Sequence, residues 1–190
     1  YFTSDKGKIK KAAEEAREAN SAYRKEMSDR GITPVQLLDG ICQSKGNPAL
    51  DSNTSPQLKI AVIGHSYVIY DDYINHRLIS RLEAMGAKVY TPEMASQEAL
   101  DIAMARVVGK PHWSFEVDVI GAGEYYLEAK LDGIISVAVF ACGPDSMMVD
   151  MVRHRAREFG APFLPLSLDE HTSEGGLVTR LEAFLDMIKR

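Results

Sequence analysis

Gly133-Ile134-Ile135-Ser136-Val137-Ala138-Val139-Phe140-Ala141-Cys142-Gly143-Pro144-Asp145-Ser146 is the stretch on which the fold turns. Its first half is short, apolar and rich in β-branched residues, as in a fully buried strand. Its second half carries Gly and Pro to shape a turn, and a helical segment follows over 147–159. A second buried strand is predicted over 162–168. It ends in Asp169-Glu170-His171-Thr172-Ser173 and leads to a last helix over 177–188. Strand–helix–strand units of this kind are parallel and right-handed. In such sheets ligands bind outside the carboxyl ends of the strands.

Upstream, Lys59-Ile60-Ala61-Val62-Ile63-Gly64 is another buried strand, followed by the polar turn His65-Ser66-Tyr67 and the acid pair Asp71-Asp72. A helix is expected over 72–85, with Ile74, Leu78, Leu82 and Met85 on its core face and Gly86 as its stop. Residues 87–90 form a further strand. An irregular helix over 95–108, an ordered loop over 109–115 and a helix over 122–131 then lead back to Gly133. Trp113 in that loop reads as an anchor pinning it to the body, with a lid over the strand ends as the alternative.

The expected fold is therefore α/β: a doubly wound, mainly parallel four-stranded sheet of Rossmann or flavodoxin-like type over 58–190. Ahead of it, residues 1–43 form an N-terminal helical segment. A charged helix over 6–30 carries a modest apolar stripe of Ile9, Ala13, Ala16, Ala19, Tyr23 and Met27, and Gly31 ends it. A short helix starts at Thr33-Pro34. These helices read equally as a docking arm or as a pair packed on the domain's own surface. Residues 44–57, rich in Gly, Asn, Pro and Ser, read as a linker.

Composition narrows the function. The chain has 190 residues, a net charge of −5 and an apolar share of 45%. These values suit a soluble globular domain and disfavour a broad nucleic-acid surface. No apolar run approaches a membrane span and no signal peptide opens the chain. The two cysteines, Cys42 and Cys142, make no disulfide framework, so a reducing cytoplasm is the expected compartment. There is no phosphate-binding P-loop, no complete dinucleotide fingerprint and no zinc spacing. Gly64-His65-Ser66 begins like a nucleophile elbow, but Val68 stands where glycine is needed. Asp169-x-His171-x-x-x-Gly175 approaches a cobalamin-binding pattern with one residue too many, after the wrong strand.

What remains is a set of polar residues at or just after strand ends: His65, Ser66, Asp71, Asp72, Asp145, Asp169, Glu170 and His171. They form one candidate strand-end site, with separate helix caps as the rival reading. His76, His112 and His154 read as surface residues. Cys142 stands directly after a buried strand, at a helix start. Thiols near helix N-termini generally make good metal or cluster ligands, and a buried thiol in an ordinary turn is the alternative.

Four blocks carry a family resemblance: Gly64 to Asn75 (GHSYVIYDDYIN), Pro111 to Phe115 (PHWSF), Phe140 to Ser146 (FACGPDS) and the tail from Asp169 to Asp186, with Thr179-Arg180-x-Glu182-Ala183-Phe184 its most specific part. Together they resemble the acyl-CoA dehydratase activase-related proteins, relatives of the 2-hydroxyacyl-CoA dehydratase subunits. The resemblance covers 58–190 well and the N-terminal helices weakly. It implies anaerobic iron–sulfur metabolism, in which an ATP-hydrolysing activase passes one electron to a 4Fe–4S cluster in a Rossmann-like subunit. That electron then permits loss of water from a 2-hydroxyacyl-CoA.

The resemblance also makes Cys142 a candidate 4Fe–4S ligand, with the other thiolates on another domain. The cluster is accordingly expected in the full-length protein and not in these residues alone. Asp169-Glu170 stands where many dehydratase subunits carry Asp-Cys, and actin-like ATPase motifs are absent. With Tyr1 as its first residue, the chain is expected to be a domain of a longer protein. Its expected partners are the rest of its own polypeptide and an ATP-dependent activase. The alternative expectation is a non-catalytic module that binds an activase, or a CoA or nucleotide ligand, at the strand carboxyl edge.

Overall fold

Four apolar runs form the strands β1 (Leu58–Gly64), β2 (Ala87–Tyr90), β3 (Gly133–Val139) and β4 (Phe163–Leu168) in a computed structural model that describes residues 3–42 and 58–189. They make one sheet in the order β2-β1-β3-β4, and every neighbouring pair is parallel. The expected α/β, doubly wound architecture is thus present, with the sheet wholly rather than mainly parallel. β1 and β3 are buried almost end to end, as their apolar composition requires.

Helices cover both faces. On one face α3 (Ser66–Tyr70), α4 (Leu78–Ala84) and α9 (Glu174–Ile188) enclose a core of Val68, Leu82, Val137, Leu166, Leu181 and Phe184. On the other, α5 (Gln97–Val107), α7 (Ala122–Glu128) and α8 (Gly143–Phe159) enclose Ile63, Leu100, Met104, Ile134, Met148 and Val152. Close approach of elements demands glycine at two places. A Cβ on Gly123 would lie 2.6 Å from Val152, and one on Gly64 would lie 2.4 Å from the Val137 carbonyl oxygen. The second is the point where β1 and β3 come together before their chains part.

α1 (Lys6–Arg30) and α2 (Pro34–Cys42) precede the sheet, with Asp5 capping α1 and Gly31 closing it in the left-handed region. The expected packing of these helices on the domain's own surface holds for the end of α1. Its last turns pack on the body, where buried Met27 joins Ile32, Leu37 and Met94, and Arg24 donates to the Pro92 and Ala95 carbonyls. Residues 3–22 are exposed throughout. The expected linker at 44–57 lies outside the described residues. Among those described, no helix is long and apolar enough to cross a membrane.

Three expectations need correction. The helix expected over 72–85 begins only at Leu78, because residues 71–77 form a hydrogen-bonded corner. Asp71 accepts from the amides of Tyr73 and Ile74, and His76 and Arg77 both take positive φ. Asx side chains that bond the local backbone outcompete the helix here. Second, the helix expected from 122 starts eight residues earlier, as α6 (Ser114–Glu116) runs through a π-helical turn (Val117–Gly121) into α7. Third, Trp113 does not anchor its loop, being 50% exposed. The pin is Glu116, which is buried and accepts from the His112 amide at 2.6 Å.

Candidate functional site at the strand carboxyl ends

From β1 the chain crosses to β2 on one side, and from β3 it crosses to β4 on the other. The topological switch point therefore lies between the carboxyl ends of β1 and β3, where α/β sheets open a crevice for ligands. His65 follows β1 directly. Cys142 sits at the N-cap of the 17-residue helix α8, after Ala141 has turned the chain through the left-handed region at φ 65°. This is a strained conformation for a residue with a Cβ, and it brings the thiol, half-buried, to the crevice.

Asp145, in the first turn of α8, is 3% exposed. Its Oδ1 lies 3.1 Å from His65 Nε2, which is ion-pair distance. The two groups are too poorly aligned for a hydrogen bond, and that ring nitrogen and both carboxylate oxygens are buried without any other. This is a close, buried contact between an imidazole and a carboxylate. The expected capping role for Asp145 is not what its oxygens do, since none accepts from the helix.

Aromatic rings complete this corner. The Phe115 ring lies 4.5 Å from that of His65, tilted by 30°, and Tyr67 meets the same imidazole edge-on at 5.6 Å. Burial raises the Tyr67 phenol's pKa, and the neighbouring Asp145 carboxylate and Cys142 thiol add to that rise. Tyr67, Trp113, Phe115, Phe140 and Met147 are all at least 47% exposed. Large apolar side chains gathered at one edge are what an interaction surface looks like.

Ser66 points away from this corner to an acidic group that sequence reading missed. Its hydroxyl donates to Glu93 at 3.3 Å, and the Tyr70 hydroxyl also donates to Glu93. Burial, then that carboxylate, pushes the Tyr70 pKa far up. Asp118, on the π-helical turn, pairs with Arg24 of α1 at 3.5 Å, yet burial outweighs Arg24 and raises its pKa. Asp118 lies on a π-helical turn, a feature often found at functional sites, and no residue pattern announces such a turn in the sequence.

The other candidates fall elsewhere. Asp71 holds its own turn. Asp169 also holds its own turn, accepting from the His171 amide at 3.0 Å and the Thr172 hydroxyl at 2.9 Å. The Thr172 hydrogen bond lowers its pKa. Glu170 and His171 are over 80% exposed and sit 3.7 Å apart. Asp72, Asp169 and Glu170 line a separate cleft of about 800 Å³ with Arg77, Arg81 and Glu174, and that cleft shares only Tyr67 with the switch-point corner. His76, expected at the surface, is half-buried and bonds the Thr172 carbonyl at 3.1 Å, while His112 and His154 are exposed.

Among the described residues, no group of three or more His, Cys, Asp or Glu is arranged to hold a metal ion. Cys142 alone can supply one thiolate to a shared centre, not a ligand set. Residues 1–95 match the family model of the CoA enzyme activase uncharacterised domain, and residues 122–188 match that of the 2-hydroxyglutaryl-CoA dehydratase D-component. No curated protein matches the chain.

Proposed function

The chain belongs to the family of CoA enzyme activase-related proteins, with a C-terminal part matching the dehydratase D-component, and on that premise we propose that it is half of a shared iron–sulfur site. In this reading Cys142 is one ligand of a 4Fe–4S cluster, and another domain, of the same or a second polypeptide, provides the rest. The observation that carries the reading is the placement of Cys142 at the head of α8, at the switch point, on the same corner as the buried His65–Asp145 contact and the Tyr67 and Phe115 rings that meet His65.

Each feature has a physical role in such a site. The α8 N-terminus offers amides and a favourable dipole to the negative charge of a thiolate-bound cluster. A cluster of this type takes about four thiolates, so Cys142 at this corner would need ligands from another domain. Tyr67, Phe115, Phe140 and Met147 would then be buried in that contact, excluding water from the centre. When bound, the cluster supplies a one-electron carrier; this chain's residues hold and shield it. A free thiol of this kind suits a reducing cytoplasm, and an ATP-dependent activase is the partner expected to deliver the electron.

Anaerobic purification of the complete protein tests this. We expect acid-labile sulfide, bound iron and broad absorption in the blue, all reduced in Cys142→Ala. Unchanged iron content in Cys142→Ala would refute the assignment.

A further inference from the structure

We propose that the exposed part of α1 is a pairing surface for the same helix of a second copy of this chain, laid antiparallel. This surface contains no residue of the Cys142 corner and is independent of the cluster reading.

Residues 6–22 of α1 form a helix about 25 Å long in which every residue is exposed. Packing on the body begins at Tyr23, with Arg24 and Met27 buried. A helix in water draws most of its stability from a packed face, and residues 6–22 have none within the described chain. The face itself is marked in the sequence. Ile9, Ala13, Ala16 and Ala19 continue, off the body, the stripe whose Tyr23 and Met27 pack against it. Ile9 is 51% exposed, and the alanines let a second helix backbone approach closely.

Charge selects the occupant and its direction. Residues 6–11 carry Lys6, Lys8, Lys10 and Lys11 with no acid, and residues 14–18 carry Glu14, Glu15 and Glu18 with Arg17. The two segments therefore have net charges of +4 and −2. An antiparallel copy lays each lysine segment beside the other copy's glutamates. A parallel copy would set lysines against lysines, which repels.

A single copy does not settle these charges. The lysines crowd the positive end of the helix dipole, and the first turn holds no acid. Lys10–Glu14 at 3.8 Å and Lys11–Glu15 at 3.7 Å pair along the helix, but all four side chains are at least 55% exposed. Lysine precedes glutamate in both pairs, the weaker order, and exposed pairs of this kind contribute little. Pairing centred near Ala12 and Ala13 holds the two Arg24 residues about 35 Å apart along the helices, so repulsion between two chains of net charge −5 is screened in physiological salt.

Sedimentation equilibrium of the full chain and two variants tests this. Lys6→Glu, Lys8→Glu, Lys10→Glu and Lys11→Glu together make both segments acidic, and Glu14→Lys, Glu15→Lys and Glu18→Lys together make both basic. Only exposed side chains change, so neither variant removes a packed residue. The wild type should dimerise, and should dissociate as salt is raised. Each variant should bind itself about tenfold more weakly or worse, and an equimolar mixture of the two should recover the dimer. Carbodiimide coupling of mixed isotopically light and heavy wild-type copies reads the direction: Lys8, Lys10 or Lys11 of one copy should join Glu15 or Glu18 of the other. A wild type that stays monomeric at every concentration overturns the proposal. So does a dimer that both variants leave intact, a variant mixture that stays monomeric, or lysine–glutamate links confined to single copies.

Discussion

Replacing Asn75 tests the construction of the 71–77 corner. The side chain is 1% exposed and makes three hydrogen bonds, two as donor to Val68 and Ile69 and one as acceptor from Leu78. Two carbonyls on one side and an amide on the other fix which end carries nitrogen. Asn75→Ala deletes all three bonds, and at about 1–1.5 kcal/mol each the expected loss is roughly 3–4.5 kcal/mol. Against a total stability of about 5–15 kcal/mol this is a large fraction.

Asn75→Asp keeps the shape and the acceptor for Leu78, but points a carboxylate at two carbonyl oxygens. Protonation restores one donor, so the introduced carboxyl should have its folded-state pKa raised above the unfolded value of about 3.9. The folded state then binds more protons than the unfolded one. Stability is therefore greatest below the unfolded pKa and is lost as pH rises through the folded pKa. Urea denaturation of the wild type and both variants at pH 5 and pH 8 provides the assay. Asn75→Asp should lose more stability between the two than either other protein. A loss under about 1 kcal/mol in Asn75→Ala, or no added pH dependence in Asn75→Asp, refutes the reasoning.

Other substitutions probe the sheet and its flanks. Gly64→Ala places a Cβ 2.4 Å from the Val137 carbonyl oxygen, and should cost about 3 kcal/mol by thermal melting as β1 and β3 are forced apart. Arg155→Met leaves Glu124, whose side chain is 1% exposed, without the guanidinium 2.6 and 2.9 Å away. A loss of about 2–3 kcal/mol is expected, discounted because Arg155 is partly exposed. Asp118 has its pKa raised by burial above the usual 3.8, so its contribution to stability is lost as pH rises through the folded pKa. Asp118→Asn should remove that slope and compare better with wild type at pH 7 than at pH 4 in urea midpoints.

The sheet was legible because its two central strands are buried on both faces and therefore appear as short apolar runs. Ile60–Ile63 is unbroken and Ile134–Val139 is interrupted only by Ser136, and glycine or a polar turn closes each of the segments they lie in. The corner at 71–77 was not legible, because Ile74, Leu78 and Leu82 keep helical spacing while Asp71 and Asn75 divert the backbone with side-chain bonds. Cys142 and Asp145 could be placed at a strand end from sequence. That Asp145 would be buried beside His65, while Asp169 and His171 served a different turn, depends on the order β2-β1-β3-β4, which no local pattern encodes.

Thiol footprinting of the complete protein tests the central claim most directly. Cys142 in the cluster-free protein should react with iodoacetamide, and mass spectrometry should find it protected after anaerobic loading with iron and sulfide, with Cys42 as internal reference. Protection that appears on loading and disappears on chelation supports Cys142 as a cluster ligand. Equal alkylation of Cys142 in the loaded and cluster-free protein contradicts it.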